Sequence, residues 1–304
     1  MQSFFVLFCL LVPSVALPSE RFHSRILDGA SDLALTQEAS NRLAFNTTEL
    51  VFGGQFAEPG QLPMQAVLVY TRSTGGIYRC GGTIISPNHI LTAAHCTVHL
   101  IAPSRIMVGG VNMYVNTSNT QWRDVKQVHV HPDFNADDEM FHHDIAVLEF
   151  ETPVSYNPDV QPATFVFNDN SLFKNCAHGT VSGFGTFTFR NGNQSINSRK
   201  LRYAEVTIVS MSACRDARPH MYVTEMQFCA GAAGRGVGFS DSGGPITVVQ
   251  NNITYQIGIA SYAAGDPDIM ENDQDQQPSV FTRISYYCDF IASVTNDATK
   301  CQTI

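Results

Sequence analysis

Charge is scarce in this 304-residue sequence, where 18 Lys+Arg and 27 Asp+Glu make up 15% of the chain, against roughly 25% in an ordinary soluble domain. No block of Lys and Arg occurs and the formal net charge is -9. A nucleic-acid partner or an anionic membrane surface, both of which need clustered cations, is therefore not expected. The 22 Gly and 14 Pro are ordinary numbers, which excludes collagen-like and low-complexity classes. No uncharged apolar run reaches the roughly 20 residues that a spanning helix needs. What is present is 44% hydrophobic and 10% aromatic residues, enough to bury a large core in one or two compact domains. Eight Cys complete the inventory.

Residues 4–12 form a short uncharged apolar run followed by Ser14, Val15 and Ala16, small at the two positions a signal peptidase reads. We expect 1–16 to be a secretory signal peptide and the mature protein to be extracellular. An oxidising compartment lets Cys pair, and it gives meaning to four Asn-x-Ser/Thr acceptors, Asn46, Asn116, Asn193 and Asn252, as surface glycosylation positions. Residues 17–50 are polar and mixed. Beyond them short apolar runs at 64–70, 82–85, 145–150, 201–209 and 246–249 recur between Gly, Pro, Asn and Asp clusters, the pattern of an all-β sandwich or barrel pair. At 285–294, Tyr287, Phe290, Ile291 and Val294 stand at helical spacing, which predicts one C-terminal helix.

Three local sequences carry chemistry: Leu91-Thr92-Ala93-Ala94-His95-Cys96, His143-Asp144-Ile145-Ala146-Val147-Leu148, and Ser240-Asp241-Ser242-Gly243-Gly244-Pro245. With Val51-Phe52-Gly53-Gly54 they resemble, in order and spacing, the chymotrypsin/trypsin family of serine proteases, over 51–304. The resemblance implies an all-β fold of two packed six-stranded antiparallel barrels, about 51–160 and 161–304, with a short C-terminal α-helix. A serine hydroxyl is a poor nucleophile until a base removes its proton. By resemblance His95 is that base for Ser242, and Asp144 holds the imidazole tautomer and stabilises its cation. Ser261, in Ala260-Ser261-Tyr262-Ala263, resembles the segment that pairs with substrate backbone, its Ser beside the triad Asp. The remaining histidines, His129 and His131 included, read as surface or packing residues, because one pair without further ligands is a poor zinc site. No metal or other cofactor is expected. Residues 109–122, roughly where some relatives bind calcium, hold no Asp or Glu.

The resemblance further implies activation by a cut before Val51, making 17–50 a propeptide. The freed amine of Val51 then pairs with buried Asp241 and orders the oxyanion loop, since a buried carboxylate without a partner is costly. Leu50 stands where relatives commonly have Arg or Lys, so a tryptic cut is not expected there. Arg25-Ile26 is a competing site, farther from His95 than the family spacing allows. Counting back from Ser242, the pocket base falls at Gly236, where trypsin-like enzymes have Asp. The walls fall at Ala263 and Ser279, bulkier than the Gly of relatives that take large aromatics, and Val237 narrows the slot further if it points inward. Small to medium apolar residues before the scissile bond are expected, and Leu50-Val51 fits that preference, which raises autoactivation.

Two departures qualify the reading. The oxyanion hole is expected from the amides of Ser240 and Ser242, yet relatives have Gly at the first, and losing one donor costs about 10²- to 10³-fold. Residues 264–277 form a longer loop carrying Asp266, Asp268, Glu271, Asp273 and Asp275. It reads as a solvated acidic rim, with attraction of distant basic substrate residues as the alternative. The expected protein is thus a secreted, zymogen-activated, monomeric endopeptidase with protein or peptide substrates and protease inhibitors as partners. The alternative is a weak or inactive homologue that binds or regulates, and the lack of an accessory domain favours a digestive setting. Among the cysteines, Cys9 leaves with the signal peptide. Cys80 and Cys96, and Cys214 and Cys229, match family bridges, whereas the bridge beside the nucleophile loop is lost at Gly238. Cys288 and Cys301 either join each other, leaving Cys176 free, or one of them pairs with Cys176. Val248 stands where a partner for Cys176 belongs.

Overall fold

The computed structural model describes residues 51–304 except 73–74, 99, 174–176 and the side chains at 101–102. The expected signal peptide and propeptide, Asn46, Arg25, Leu50, Cys9 and Cys176 lie outside the described residues. The first half builds strands β1 (Gln55–Phe56), β2 (Gln65–Thr71), β3 (Ile77–Ser86), β4 (His89–Thr92), β5 (Ile101–Val108), β6 (Gln121–Asp124), β7 (Gln127–Val130) and β8 (Ala146–Glu149). The second builds β9 (His178–Gly183), β10 (Thr186–Arg190), β11 (Gln194–Asn197), β12 (Arg202–Ile208), helix α1 (Met211–Ala217), β13 (Gln227–Gly231), β14 (Pro245–Gln250), β15 (Ile253–Tyr262), helix α2 (Pro267–Asn272), β16 (Ser279–Arg283) and helix α3 (Cys288–Val294).

Among the described residues two large sheets and a two-stranded β10-β11 sheet are all antiparallel. The first runs β6-β5-β2-β3-β4-β8-β7. Its two edge strands are consecutive in sequence: Val125 N–H donates to Ser104 O at 2.9 Å and Lys126 N–H to Glu149 O at 2.8 Å, so segment 121–130 curls the sheet from one edge to the other. The second runs β12-β13-β16-β15-β14-β9, closes through a β9–β12 pairing, and carries β1 on its rim. A closed barrel of six strands beside a curled sheet is the all-β architecture that the resemblance implies. Period-two alternation builds it: in β12, Ala204, Val206 and Ile208 are buried, whereas Glu205 between them is exposed. β2 departs from that rule because both of its faces are covered. Ala66 and Leu68 enter the first barrel's core with Ile84, Leu91, Ile106 and Leu148, while Val67 packs with Met107 and Phe184 in a separate cluster.

The C-terminal helix forms as expected, as a 3-10 turn Ile284–Tyr287 running into α3. Ile284, Tyr287 and Ile291 pack into the first barrel's core, so the chain's end clasps the half of the molecule it did not build. Among the described residues three disulfides are formed: Cys80–Cys96, Cys214–Cys229 and Cys288–Cys301. The last resolves the open choice in favour of the local pair around α3.

Candidate active site

His95 sits in the 3-10 turn Ala94–Cys96 that follows β4, fastened by the Cys80–Cys96 bridge. Asp144 lies two residues before β8 and is fully buried. Its Oδ2 is 2.8 Å from His95 Nδ1, and its Oδ1 accepts from the His95 backbone N–H at 2.9 Å. Ser261 Oγ donates to the same Oδ2 at 2.5 Å, and Thr282 Oγ1 donates to the Asp144 carbonyl at 3.0 Å. Ser261 reaches Asp144 because the β15–β16 register shifts between Ala260 and Tyr262, and a bulge of that kind re-aims the extra side chain. Burial works against an imidazolium at His95, but the Asp144 charge and hydrogen bond outweigh it and raise the imidazole above its ordinary value. An imidazole so held can take up a proton from a hydroxyl and keep it.

Ser242 precedes β14 and lines one cavity of about 220 Å³ together with His95. The loop is seated by Gly81 N–H donating to Ser242 O at 2.7 Å and by Gly243 N–H donating to Ala260 O at 2.7 Å. Gly243 has φ 82°, and a Cβ there would collide with Thr92 Oγ1 and Gly81 O, so only glycine fits. Asp241 is buried beneath, accepting from Gly185 N–H at 2.7 Å and Gly238 N–H at 3.0 Å. Burial pushes its carboxyl up to about 7, against the pull of those donors and of the Arg202 charge. Val51 and Phe52 are buried too, and Phe52 O accepts from Gly236 N–H at 3.3 Å.

Ser240 has φ 71°, a left-handed backbone that a side chain disfavours. Two bonds hold it there. Ser240 Oγ accepts from Asn197 Nδ2 at 3.1 Å, and Asn197 Oδ1 accepts from Thr186 Oγ1 at 2.8 Å. In addition, Thr186 N–H donates to Phe239 O at 2.7 Å. A trans peptide sends its C=O and N–H opposite ways, so the Ser240 N–H points away from Thr186. Sequence reasoning missed Asn197 and Thr186, since nothing in β10 or β11 signals proximity to Ser240.

Of the expected specificity residues, Val237, Ser261 and Ala263 line the cavity with Tyr262, Phe141 and Met270. Gly236 and Ser279 meet Gln274 instead. Ser279 Oγ donates to Gln274 Oε1 at 2.8 Å, and a Cβ on Gly236 would overlap that same oxygen. Gln274 Nε2 donates to Val237 O at 3.0 Å and Met270 O at 2.8 Å. Loop 264–277 is thus only partly the solvated rim expected. Asp266, Asp268, Asp273 and Asp275 are exposed, with Asp266 capping α2, but Met270 and Gln274 each retain only 1% exposure. The loop is also tied to the segment before the nucleophile, Gly234 N–H donating to Asn272 O at 2.8 Å, which restrains the rim where the family disulfide is lost. Phe141 was missed as well. It holds φ 45° and packs on the His95 ring at 5.4 Å between centroids.

Among the other described histidines, His129 pairs with Glu149 at 3.3 Å and His142 with Asp138 at 2.7 Å. His131 and His143 stack at 4.9 Å with an interplanar angle of 8°, and ligand atoms of these two and Asp133 lie within 4.8 Å of one another. Imidazole lone pairs lie in the ring planes, and planes this nearly parallel do not converge on one ion. Asn116, Asn193 and Asn252 are exposed. Among the described residues no helix is long and apolar enough to cross a membrane.

The family model described as Trypsin matches residues 51–291. A CLIP domain-containing serine protease B4 from Anopheles gambiae is 27% identical over 262 residues, covering 80% of this chain and 70% of the relative. Coagulation factor IX from Cavia porcellus is 31% identical over 243 residues, 79% of this chain and 80% of the relative. Coagulation factor IX from Oryctolagus cuniculus is 30% identical over 247 residues, covering 79% and 82%.

Proposed function

Because the chain belongs to the trypsin family of serine proteases, we propose that it is a secreted serine endopeptidase that cleaves proteins or peptides after small to medium apolar residues. The observation that carries this reading is the run Ser261–Asp144–His95 of short hydrogen bonds ending at the cavity that Ser242 shares. In this reading His95 accepts the Ser242 proton as Oγ attacks the scissile carbonyl. Asp144 stabilises the imidazolium, and the Ser240 and Ser242 amides receive the oxyanion. His95 then protonates the leaving amine, and water releases the acyl group by the same steps in reverse roles. The apolar preference is supported by Val237, Ala263 and Met270 around the cavity, with no acid among its lining residues.

The proposed precursor loses 1–16 on secretion and 17–50 on cleavage after Leu50, whereupon the Val51 amine supplies the charge that Asp241 lacks. Monomeric action is part of the reading. No digestive role is assigned, since the relatives above carry names from coagulation and from CLIP-domain proteases. A binding or regulatory homologue of low activity is the second reading, and the side chain at Ser240 is what favours it. Labelling by a fluorophosphonate separates the two: stoichiometric modification of cut protein, lost in Ser242→Ala, supports the enzyme, whereas unlabelled cut protein supports the homologue. A Ser242→Ala precursor still cut after Leu50 when purified alone would sink autoactivation.

A further inference from the structure

We propose that a second groove, adjoining the first at Phe239, receives the substrate chain beyond the scissile bond and selects acidic residues there; the assignment of a substrate rests on the protease reading above. This groove is about 950 Å³ and includes Tyr78, Arg79, Tyr114, Arg190, Arg199 and Ser240 among its walls. Its lining holds three Arg and neither Asp nor Glu, in a chain of net charge -9. Among the described residues, ion pairs occupy Arg105, Lys126, Arg215, Arg283 and Lys300, but none reaches Arg79, Arg190 or Arg199. Arg79 spends one N–H on the neutral Tyr114 hydroxyl at 3.1 Å, and Arg79 and Arg199 stand 6.0 and 5.3 Å from the Tyr114 ring.

The placement fixes which part of a substrate arrives here. Phe239 lines both this groove and the cavity holding His95 and Ser242, but Ser240 and the three Arg line the groove alone. The segment Ser261–Ala263, which by the family resemblance pairs with substrate backbone, lines the cavity and not the groove, and in the proposal the departing half of the chain lies on the groove side. Planar guanidinium forks match carboxylates in charge and geometry, and Tyr114 and Tyr78 supply apolar surface beneath the side-chain stems. Exposed pairs are each worth roughly 1.5- to 5-fold in affinity, so three together give about 10-fold in favour of acidic tails, weakening as salt screens them.

The test uses protein with a verified Val51 terminus carrying Ser242→Ala, which can bind a peptide without cutting it, and two fluorescein-labelled peptides, Ala-Leu-Val-Glu-Asp-Glu and Ala-Leu-Val-Lys-Asn-Lys. Anisotropy titrations at about 50 mM salt are expected to show the acidic peptide bound about 10-fold tighter, the advantage shrinking at about 0.5 M. Arg190→Gln with Arg199→Gln, both exposed positions, is expected to remove most of that advantage; circular dichroism verifies the fold. Equal affinities, tighter binding of the lysine peptide, no binding by folded protein, or an advantage untouched by the two substitutions would each overturn the proposal. Fluorophosphonate labelling of the Ser242 protein is run in parallel. Its failure counts against the protease reading and leaves the peptide comparison standing on its own.

Discussion

Ser240 shows how one side chain is accommodated where a glycine is expected. Its φ of 71° is sustained by the Asn197 amide on Oγ and by Thr186 N–H on the Phe239 carbonyl. If that support aims the Ser240 amide, Asn197→Ala lowers kcat by about 10-fold or more, toward the loss of a whole oxyanion donor, with KM little changed. Adding Ser240→Gly to Asn197→Ala restores kcat, because glycine holds the left-handed backbone unaided; steady-state kinetics of the single and double variants checks both. At His95, the Asp144 charge outweighs burial and raises the imidazole pKa above 6.5. The base must be neutral to act, so kcat/KM is expected to rise with pH through a midpoint above that value. Asp144→Asn moves the midpoint down and reduces kcat by about 10⁴-fold.

At the scale of elements, helix α2 puts Met270 into the cavity wall, and Gln274 packs behind it. Gly236 has no side chain, and Gln274 occupies the room this leaves, bonded to Ser279, Val237 and Met270. Met270→Ala is expected to admit larger side chains, raising the Phe-to-Leu ratio of kcat/KM about 10-fold, at a stability cost of about 2–5 kcal/mol for the truncated core side chain. Peptide kinetics and thermal melts read the two effects separately, and an unchanged ratio in folded protein contradicts this account of the cavity. The motifs around His95, Asp144 and Ser242, and the 3.6-residue spacing in α3, were legible because each signal lies within a few consecutive residues. Gln274, Asn197 and Phe141 were not, because their roles arise from contacts with chain distant in sequence. Loop 264–277 misled for a related reason: its four Asp are exposed as their charge suggests, but Glu271 is half-buried and accepts from Thr188 Oγ1 at 2.8 Å, and Met270 and Gln274 turn inward.

Across the whole molecule, the all-β class and the two-barrel plan followed from short apolar runs and from the family resemblance. How the sheet edges meet did not, since the curl through Val125 and Lys126 depends on backbone hydrogen bonds that carry no residue signature. The pairing Cys288–Cys301 was one of several the count allowed; α3 brings the two together. In the proposed activation Asp241 links the fold to processing. Its carboxyl titrates near 7 instead of 3.8, so the folded chain retains a proton that the unfolded chain releases. Stability is therefore lost as pH rises from 3.8 to about 7 and levels off above. A countercharge from a freed Val51 amine lowers that pKa and removes the loss. Cleavage after Leu50 in a Ser242→Ala background is thus expected to raise Tm more at about pH 7.5 than at about pH 4.5. Asp241→Asn is expected to abolish the difference, and a cut that stabilises equally at both values contradicts the link.

The proposed function requires Ser242, His95 and Asp144 to act as one nucleophile, and active-site titration tests whether they do. Protein with a verified Val51 terminus is treated with a fluorophosphonate and the modified residue is located by mass spectrometry. The account predicts one label per chain, on Ser242, lost in His95→Ala. A correctly cut, folded chain that takes up no label, or takes it elsewhere, contradicts it.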